Sequence, residues 1–525
     1  MPTSQEIERM LNQGGAAGYP QEQQPRSPGK AQVGSKQKPV LDDQYQYPSD
    51  HENENGSDED YNPRLRSKGY ALAYGVLAST AGIYFGYFQS IFNPLGAKLL
   101  RLHYRVDDVN SYYGNLNLFY PIGACFGCII AGILASKVGR VRTVIGCEVF
   151  ILLVYGLMLI DNIWMLQVSR FMSGIGAGIT STVGPISTTE CLPKKWQGPF
   201  GVMMYIWLTV FIIVTSAMGL VWHSNDDNKM DALTHHWQLV LTWPAAIALV
   251  RLFLYLTLFR SETPQYFLDK YGPKESHNDV RDSISKIYHA DDVAMVHRFL
   301  IKQYRLKSKK PQPSLLSLFS PTYIKQTVTA CLFQTIQQFS GINFLVFYAV
   351  IIFNQIGCDG NMANLVLSIS NTAGAILGAL VCNYTGRKTN FVIGLLIQAI
   401  SFWMFSMMVY YDWYTLLYLP CVLYMVSFAC GMGGCSYPWA AETLPPIGVG
   451  LSLTFQWLWA AVIGKYTPVW ADDWPGLLPT MIAFTTVCTV STVVLDIMVV
   501  ETKGRTENEI SEEYRIGKWK PFNLF

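Results

Sequence analysis

Val328-Thr-Ala-Cys-Leu-Phe-Gln334-Thr-Ile-Gln337-Gln338-Phe-Ser-Gly341-Ile-Asn343-Phe-Leu-Val-Phe-Tyr348-Ala-Val-Ile-Ile-Phe353 decides the reading of this chain. The run carries no charge, and a helix that crosses a bilayer needs ~20 predominantly apolar residues. Yet Gln334, Gln337, Gln338 and Asn343 lie within it. Carboxamides turned to lipid would leave donors and acceptors unsatisfied. These four are therefore expected to face a protein interior or a water-filled cavity. Gln334, Gln337, Gln338 and Gly341 recur at helical spacing, which sets them on one face. Each amide offers both donors and acceptors, so a row of them suits a neutral, hydroxyl-rich ligand better than an ion. The other reading is hydrogen bonding to neighbouring helices.

The rest of the composition agrees with a membrane protein. Half of the 525 residues are hydrophobic and 14% are charged, where a soluble domain carries about a quarter charged residues. A formal net charge of +2 gives no basis for a nucleic-acid partner. The eleven cysteines have no framework spacing; Cys125 and Cys128 read as small packing residues, and Cys358 faces the outside without an obvious partner. The eight histidines form no ligand pattern, with His235-His236 in a hydrophilic loop. No metal or other cofactor is expected, and no nucleophile–base arrangement suggests an enzyme.

Residues 1–68 are rich in Gln, Pro, Gly, Ser and acid residues, a composition that cannot bury enough apolar surface to fold alone. Within them Ser57-Asp-Glu-Asp resembles a site for an acid-directed kinase, although a solvated acidic run has the same look. The first apolar segment starts near residue 69, so no cleavable signal is expected. Twelve apolar segments follow, at 69–92, 113–135, 142–160, 163–187, 199–222, 238–259, 327–353, 362–384, 389–410, 414–438, 450–470 and 477–499. The predicted organisation is a disordered tail (1–68), a six-helix half (69–260), a hydrophilic linker with short helices (261–326), a second six-helix half (327–500) and a short tail (501–525). Lys137, Arg140, Arg142, Lys194, Lys195, Arg387 and Lys388 crowd the loops on the linker side, while acids such as Asp161, Asp226, Asp227 and Asp359 crowd the other. The positive-inside bias then puts both termini and the linker in the cytoplasm.

The chain also repeats itself. Gly139-Arg140 follows the second segment and Gly386-Arg387 the eighth; Glu190-Cys-Leu-Pro193 closes the fourth and Glu442-Thr-Leu-Pro445 the tenth; Glu262-Thr follows the sixth and Glu501-Thr the twelfth. Three marks in register define parallel repeats, with a substrate site between the halves near the bilayer midplane. Charged pairs among Arg140, Arg142, Glu190, Arg387, Lys388 and Glu442, formed across the halves, would latch one face shut. Each surface pair is worth ~0–1 kcal/mol, and a sheltered set would bias the equilibrium by more.

With these marks goes a resemblance. Residues 69–510 resemble the sugar porter family of the major facilitator superfamily, through Gln337-Gln-Phe-Ser-Gly-Ile-Asn343, Arg170-Phe-Met-Ser-Gly174, Glu262-Thr-Pro264-Gln-Tyr266, Asn371-Thr, Gly386-Arg-Lys388, Gln456-Trp-Leu-Trp459 and Glu501-Thr-Lys-Gly504. The resemblance implies an all-α polytopic membrane protein of twelve helices in two six-helix repeats. It implies carriage of a small neutral sugar, a hexose, by alternating access, with the plasma membrane as the family's usual location. Carried over residue by residue, the sugar-contacting amides are Gln334, Gln337, Gln338, Asn343 and Asn371. Tyr348 is an aromatic toward the outer gate, and Glu190 and Glu442 are the acids of the latch. Tyr437 and Trp457 are candidate stacking walls for a pyranose ring.

The chain departs from the family pattern in places. Proton-coupled members carry Gly-Tyr-Asp in the first helix, where this chain has Gly86-Tyr87-Phe88; the partner arginine persists as Arg170. With the carboxylate gone, uniport is expected, and Arg170 must find backbone carbonyls, water or another helix. Glu148 and Asp496 keep proton symport as an alternative. The fifth-helix amide is replaced by Tyr205, the tenth-helix prolines by Gly431-Met-Gly-Gly434, and the eleventh-helix Asn-Trp by Gln456-Trp457. Several basic latch partners are missing, which leaves a sugar-binding sensor with little transport as a further reading, and the replacements at Tyr205 and Tyr437 leave a carrier of another polyol as another.

Overall fold

The structure is a computed structural model that describes residues 63–222, 235–309, 314–472, 477–505 and 507–516. The first half holds α1 (Lys68–His103), α2 (Val109–Lys137), α3 (Arg140–Met158), α4 (Ile163–Cys191), α5 (Lys194–Trp222) and α6 (Trp237–Thr257). The linker holds α7 (Pro264–Glu275), α8 (His277–Ser285) and α9 (Ala290–Lys309). The second half holds α10 (Ile324–Gln355), α11 (Gly360–Thr385), α12 (Arg387–Tyr410), α13 (Tyr418–Thr443), α14 (Pro446–Asp472) and α15 (Leu477–Met498), and α16 (Glu507–Ile516) follows. Among the described residues no strand forms; a single bridge joins Leu65 to Tyr288. The acidic motif at Ser57 lies outside the described residues.

Eleven of these helices are long and apolar enough to cross a membrane. The remaining segment of the predicted twelve, α4, has 29 residues, about 43 Å at ~1.5 Å per residue. It falls short in hydropathy because its interior is Arg170, Gln167 and a run of Gly, Ser and Thr. Those small residues make a packing seam. A Cβ on Gly174 or Gly178 would land on the carbonyl oxygen of Tyr120 or Ala124 in α2, and one on Gly123 or Gly127 on the backbone of α4. Backbones approach this closely only where glycines face each other. Leu153, Phe253, Leu380, Trp403 and Val490 stay exposed on the spans, as lipid-facing positions do.

The repeated sequence marks have one structural cause. Glu262, just past α6, accepts the backbone N–H groups of Val141 (3.1 Å) and Arg142 (2.8 Å) at the start of α3. Glu501, just past α15, accepts those of Arg387 (2.9 Å) and Lys388 (3.0 Å) at the start of α12. Each carboxylate satisfies orphan donors and meets the positive end of a helix dipole. Glycine is needed at the joint in both halves. Gly139 has φ +121° and Gly386 φ +95°, and a Cβ on either would lie 2.5 Å from the capping carboxylate.

Three spans are broken where the sequence reads as continuous, α6 at Trp243–Pro244 among them. α1 breaks at Thr80–Ala81. The freed carbonyl of Leu77 is taken by Arg251 (2.7 Å), which also pairs with Glu148 (2.7 Å). Tyr84 donates to the same carboxylate (2.5 Å). Glu148 is fully buried and Arg251 nearly so, so this pair ties α1, α3 and α6 together inside the first half. Lys388 and Asp496 form a second buried pair at 3.3 Å. α10 breaks at Gly341, which has φ +97°, between Ile324–Phe339 and Ile342–Gln355. Gly341 is thus the hinge of the amide row rather than a member of a continuous helical face.

Candidate functional site

A cavity with about 70 Å³ of room for the centre of a water-sized sphere lies between the halves. Gln337, Gln338, Asn343, Asn371 and Trp457 line it, and among the described residues no Asp, Glu, Lys, Arg or His does. The seven-residue stretch around the α10 break therefore supplies three of the five. Gln334 is buried with both amide atoms unpartnered and is not on the cavity wall. The side chain of Tyr437 lies outside the described residues. Tyr348 stands apart, its hydroxyl donating to the Gly464 carbonyl and its ring 5.2 Å from that of Tyr113, edge on.

The amides form an ordered chain. Gln89 Nε2 donates to Asn343 Oδ1 (3.1 Å), and Asn343 Nδ2 donates to Gln338 Oε1 (2.5 Å). The last bond bridges the α10 break, and the first crosses between the halves. Gln337 Nε2 donates to the Met432 carbonyl (3.0 Å), which fixes the side chain. Its Oε1 and the Oδ1 of Asn371 are buried acceptors without a partner. Leaving such groups unpaired costs about 1–3 kcal/mol each, so they call for a ligand that donates. Trp457 packs at 4.9 Å against Phe85 and edge-on at 6.1 Å against Tyr120. Gln89, Tyr205 and Gln456 also line the cavity. Sequence reasoning passed over Gln89; a lone amide beside Phe88 in a charge-free span was the available signal.

The halves are stitched at the end far from the linker. Asn93 Nδ2 donates to the Val346 carbonyl (3.0 Å) and to Asn364 Oδ1 (2.9 Å). Tyr113 donates to the Phe347 carbonyl (2.8 Å), Ser216 and Ser368 share a bond at 2.7 Å, and Lys465 Nζ donates to Asn115 Oδ1 (2.6 Å). At the linker end the charged groups pair within a half or with the linker, rather than in the cross-half pairs the sequence reading expects. Arg140 pairs with Glu190 (2.7 Å) and Asp269 (3.1 Å), and Arg387 with Glu442 (2.7 Å). The hydrogen bonds that join the halves, named above, lie at the far end instead.

The arginine of α4 has replaced its missing carboxylate. Arg170 is fully buried. It donates to the Phe88 carbonyl and to that of Leu116 (3.2 Å), and lies over the rings of Phe92 (4.7 Å) and Tyr120 (4.8 Å). Carbonyls and aromatic faces thus hold a charge that would otherwise be unpaired. The Phe88 ring packs 5.4 Å from Tyr155.

Two helical halves stitched at one end around an uncharged, amide-lined cavity define a polytopic carrier. Residues 43–514 match the family model described as sugar (and other) transporter, and the chain belongs to that family. It is 26% identical over 85% of its length to plastidic glucose transporter 4 of Arabidopsis thaliana, covering 80% of that protein. It is 24% identical over 78% of its length to the facilitated trehalose transporter Tret1 of Apis mellifera ligustica, again covering 80%. Among solved structures it is similar to the proton:xylose symporter XylE bound to 6-bromo-6-deoxy-D-glucose. That match has a TM-score of 0.70 at 17% identity, and covers 85% of this chain and 99% of the other. The likeness shows the major facilitator fold.

Proposed function

We propose that the chain carries a hexose across a membrane by alternating access, as a facilitative uniporter. The observation that supports this best is the uncharged cavity between the halves, with buried amide acceptors at Gln337 and Asn371 awaiting hydroxyl donors. Gln337, Gln338, Asn343 and Asn371 hold the sugar, with Gln334 behind them and Trp457 and Tyr437 as stacking walls. Tyr348 belongs to the gate at the sealed end. Arg140, Glu190, Arg387 and Glu442 are the latch groups at the linker end. With residues 1–68 and 501–525 as cytoplasmic tails, the sealed end faces outward; the plasma membrane is the expected location. Names of relatives support sugar as the substrate class.

Binding tests the site. Gln337→Ala is expected to weaken D-glucose binding by about 1–3 kcal/mol, the scale of leaving a buried polar partner unpaired, when followed by tryptophan fluorescence of purified protein. Unchanged affinity in a folded variant would return Gln337 to a purely structural role.

The uniport reading is supported by Phe88, an apolar ring where a titratable group would sit, and by the carbonyls that hold Arg170. Phe88→Asp is expected to introduce pH dependence into transport, since a carboxylate beside Arg170 provides a site for a proton. Flux that stays flat across pH in that variant counts against the pairing. The second reading, a sugar sensor, is favoured by similarity over 86% of the chain, at 25% identity, to the high glucose sensor RGT2 of Saccharomyces cerevisiae, of which 61% is covered. Saturable binding without flux would select it.

A further inference from the structure

Two departures from the sugar porter pattern meet in space. Tyr205 stands in α5 at the position of a sugar-binding amide, and Gly433 belongs to the glycine-rich stretch that replaces the prolines of α13. A Cβ on Gly433 would lie 2.8 Å from Tyr205 Cζ, and nearer still to its hydroxyl. The phenol of one half is therefore seated directly on the backbone of the other. Gly433 closes a π-helical turn, Ala429–Gly433, and a side chain there would displace the ring.

Chain direction gives the level of this contact. α5 runs from the linker end outward, and of its cavity residues Tyr205, Leu208 and Ile212, Tyr205 comes first. α13 runs the other way, and of its lining residues Phe428 and Gly433, Gly433 comes last. Both are the lining residues nearest the linker end on their helices. The hydrogen bonds described between the halves, from Gln89–Asn343 to Lys465–Asn115, all lie farther out.

We propose that Tyr205, seated on Gly433, is a specificity-determining gate at the linker-end floor of the cavity. The inference rests on the hexose-carrier reading and names its size limit. The phenol is a stiff plate with a polar tip. The ring and Gly433 both line the cavity, and in this proposal a disaccharide must displace the ring to fit its second sugar. The gate opens when the ring leaves the glycine. The glycine is what lets a tyrosine replace the smaller amide without forcing the halves apart.

The test uses full-length protein carrying Tyr205→Ala, Tyr205→Phe, Gly433→Ala or Tyr205→Ala with Gly433→Ala. Each is assayed for D-glucose and maltose uptake in proteoliposomes and for melting temperature in detergent without sugar. Tyr205→Ala is expected to take up maltose about tenfold faster than the parent, while Tyr205→Phe, which keeps the ring, excludes it. Gly433→Ala is expected to lower both the melting temperature and, about tenfold, D-glucose uptake; adding Tyr205→Ala should remove both effects. No maltose gain in Tyr205→Ala, or an equal loss from Gly433→Ala in both backgrounds, overturns the gate. If the parent takes up no hexose although the melting temperatures still show the coupling, the hexose reading fails and the size limit falls with it, while the contact itself stands.

Discussion

Glu148→Ala is expected to destabilise the protein by about 3–5 kcal/mol, because removing one partner of a buried ion pair leaves the other charge uncompensated. Arg251 would remain between α1, α3 and α6 with the Leu77 carbonyl, Thr80 and the rings of Tyr84 and Tyr255 around it, but without its carboxylate partner. Tyr84 would lose its acceptor as well. The melting temperature in detergent should fall sharply. Glu148→Leu combined with Arg251→Met should recover much of the loss, since apolar replacement of a whole buried pair is often neutral. A single variant as stable as the parent would mean that the pair does not pin the break in α1.

Gly341→Val should damage the second half comparably, by a different route. A valine at φ +97° carries about 1–3 kcal/mol of backbone strain. Its Cβ would also lie 2.8 Å from Phe402 Cζ, so that ring must move. The expected result is a lowered melting temperature and about a tenfold loss of transport rate, as the Asn343–Gln338 bond across the hinge loses its geometry. Gly341→Asn should lose less, because asparagine tolerates the left-handed region. Equal losses in the two variants would show that crowding against Phe402, rather than the hinge conformation, sets the effect.

The general plan was legible because its signals are collective. Apolar runs marked the spans, including α4, and three sets of repeated marks identified the halves. What the marks do was not legible. Gly139 and Gly386 entered only as parts of the repeated marks, but they are joints that let Glu262 and Glu501 cap α3 and α12 from the far end of each half. Such a long-range cap leaves no local pattern. The amide row was visible from spacing alone, although Gly341 breaks the helix and so does not share its face; Gln334 shares the helix of Gln337 and Gln338 but is not among the lining residues. A Ser-Gly pair inside an apolar run gives no sign of a break. Arg251 was overlooked inside an apolar segment, where a lone arginine is itself the warning. The charged groups at the linker end were legible too, but not their partners: Arg140 pairs with Glu190 and Arg387 with Glu442, each inside one half, because partners far apart in sequence leave no local pattern.

The account stands or falls on one transport measurement: radiolabelled D-glucose uptake into proteoliposomes of the purified protein, with and without an imposed proton gradient. Uniport predicts saturable uptake that stops when the sugar is equal on both sides and is the same with or without the gradient. Accumulation driven by the gradient would contradict it, as would saturable binding with no flux at all.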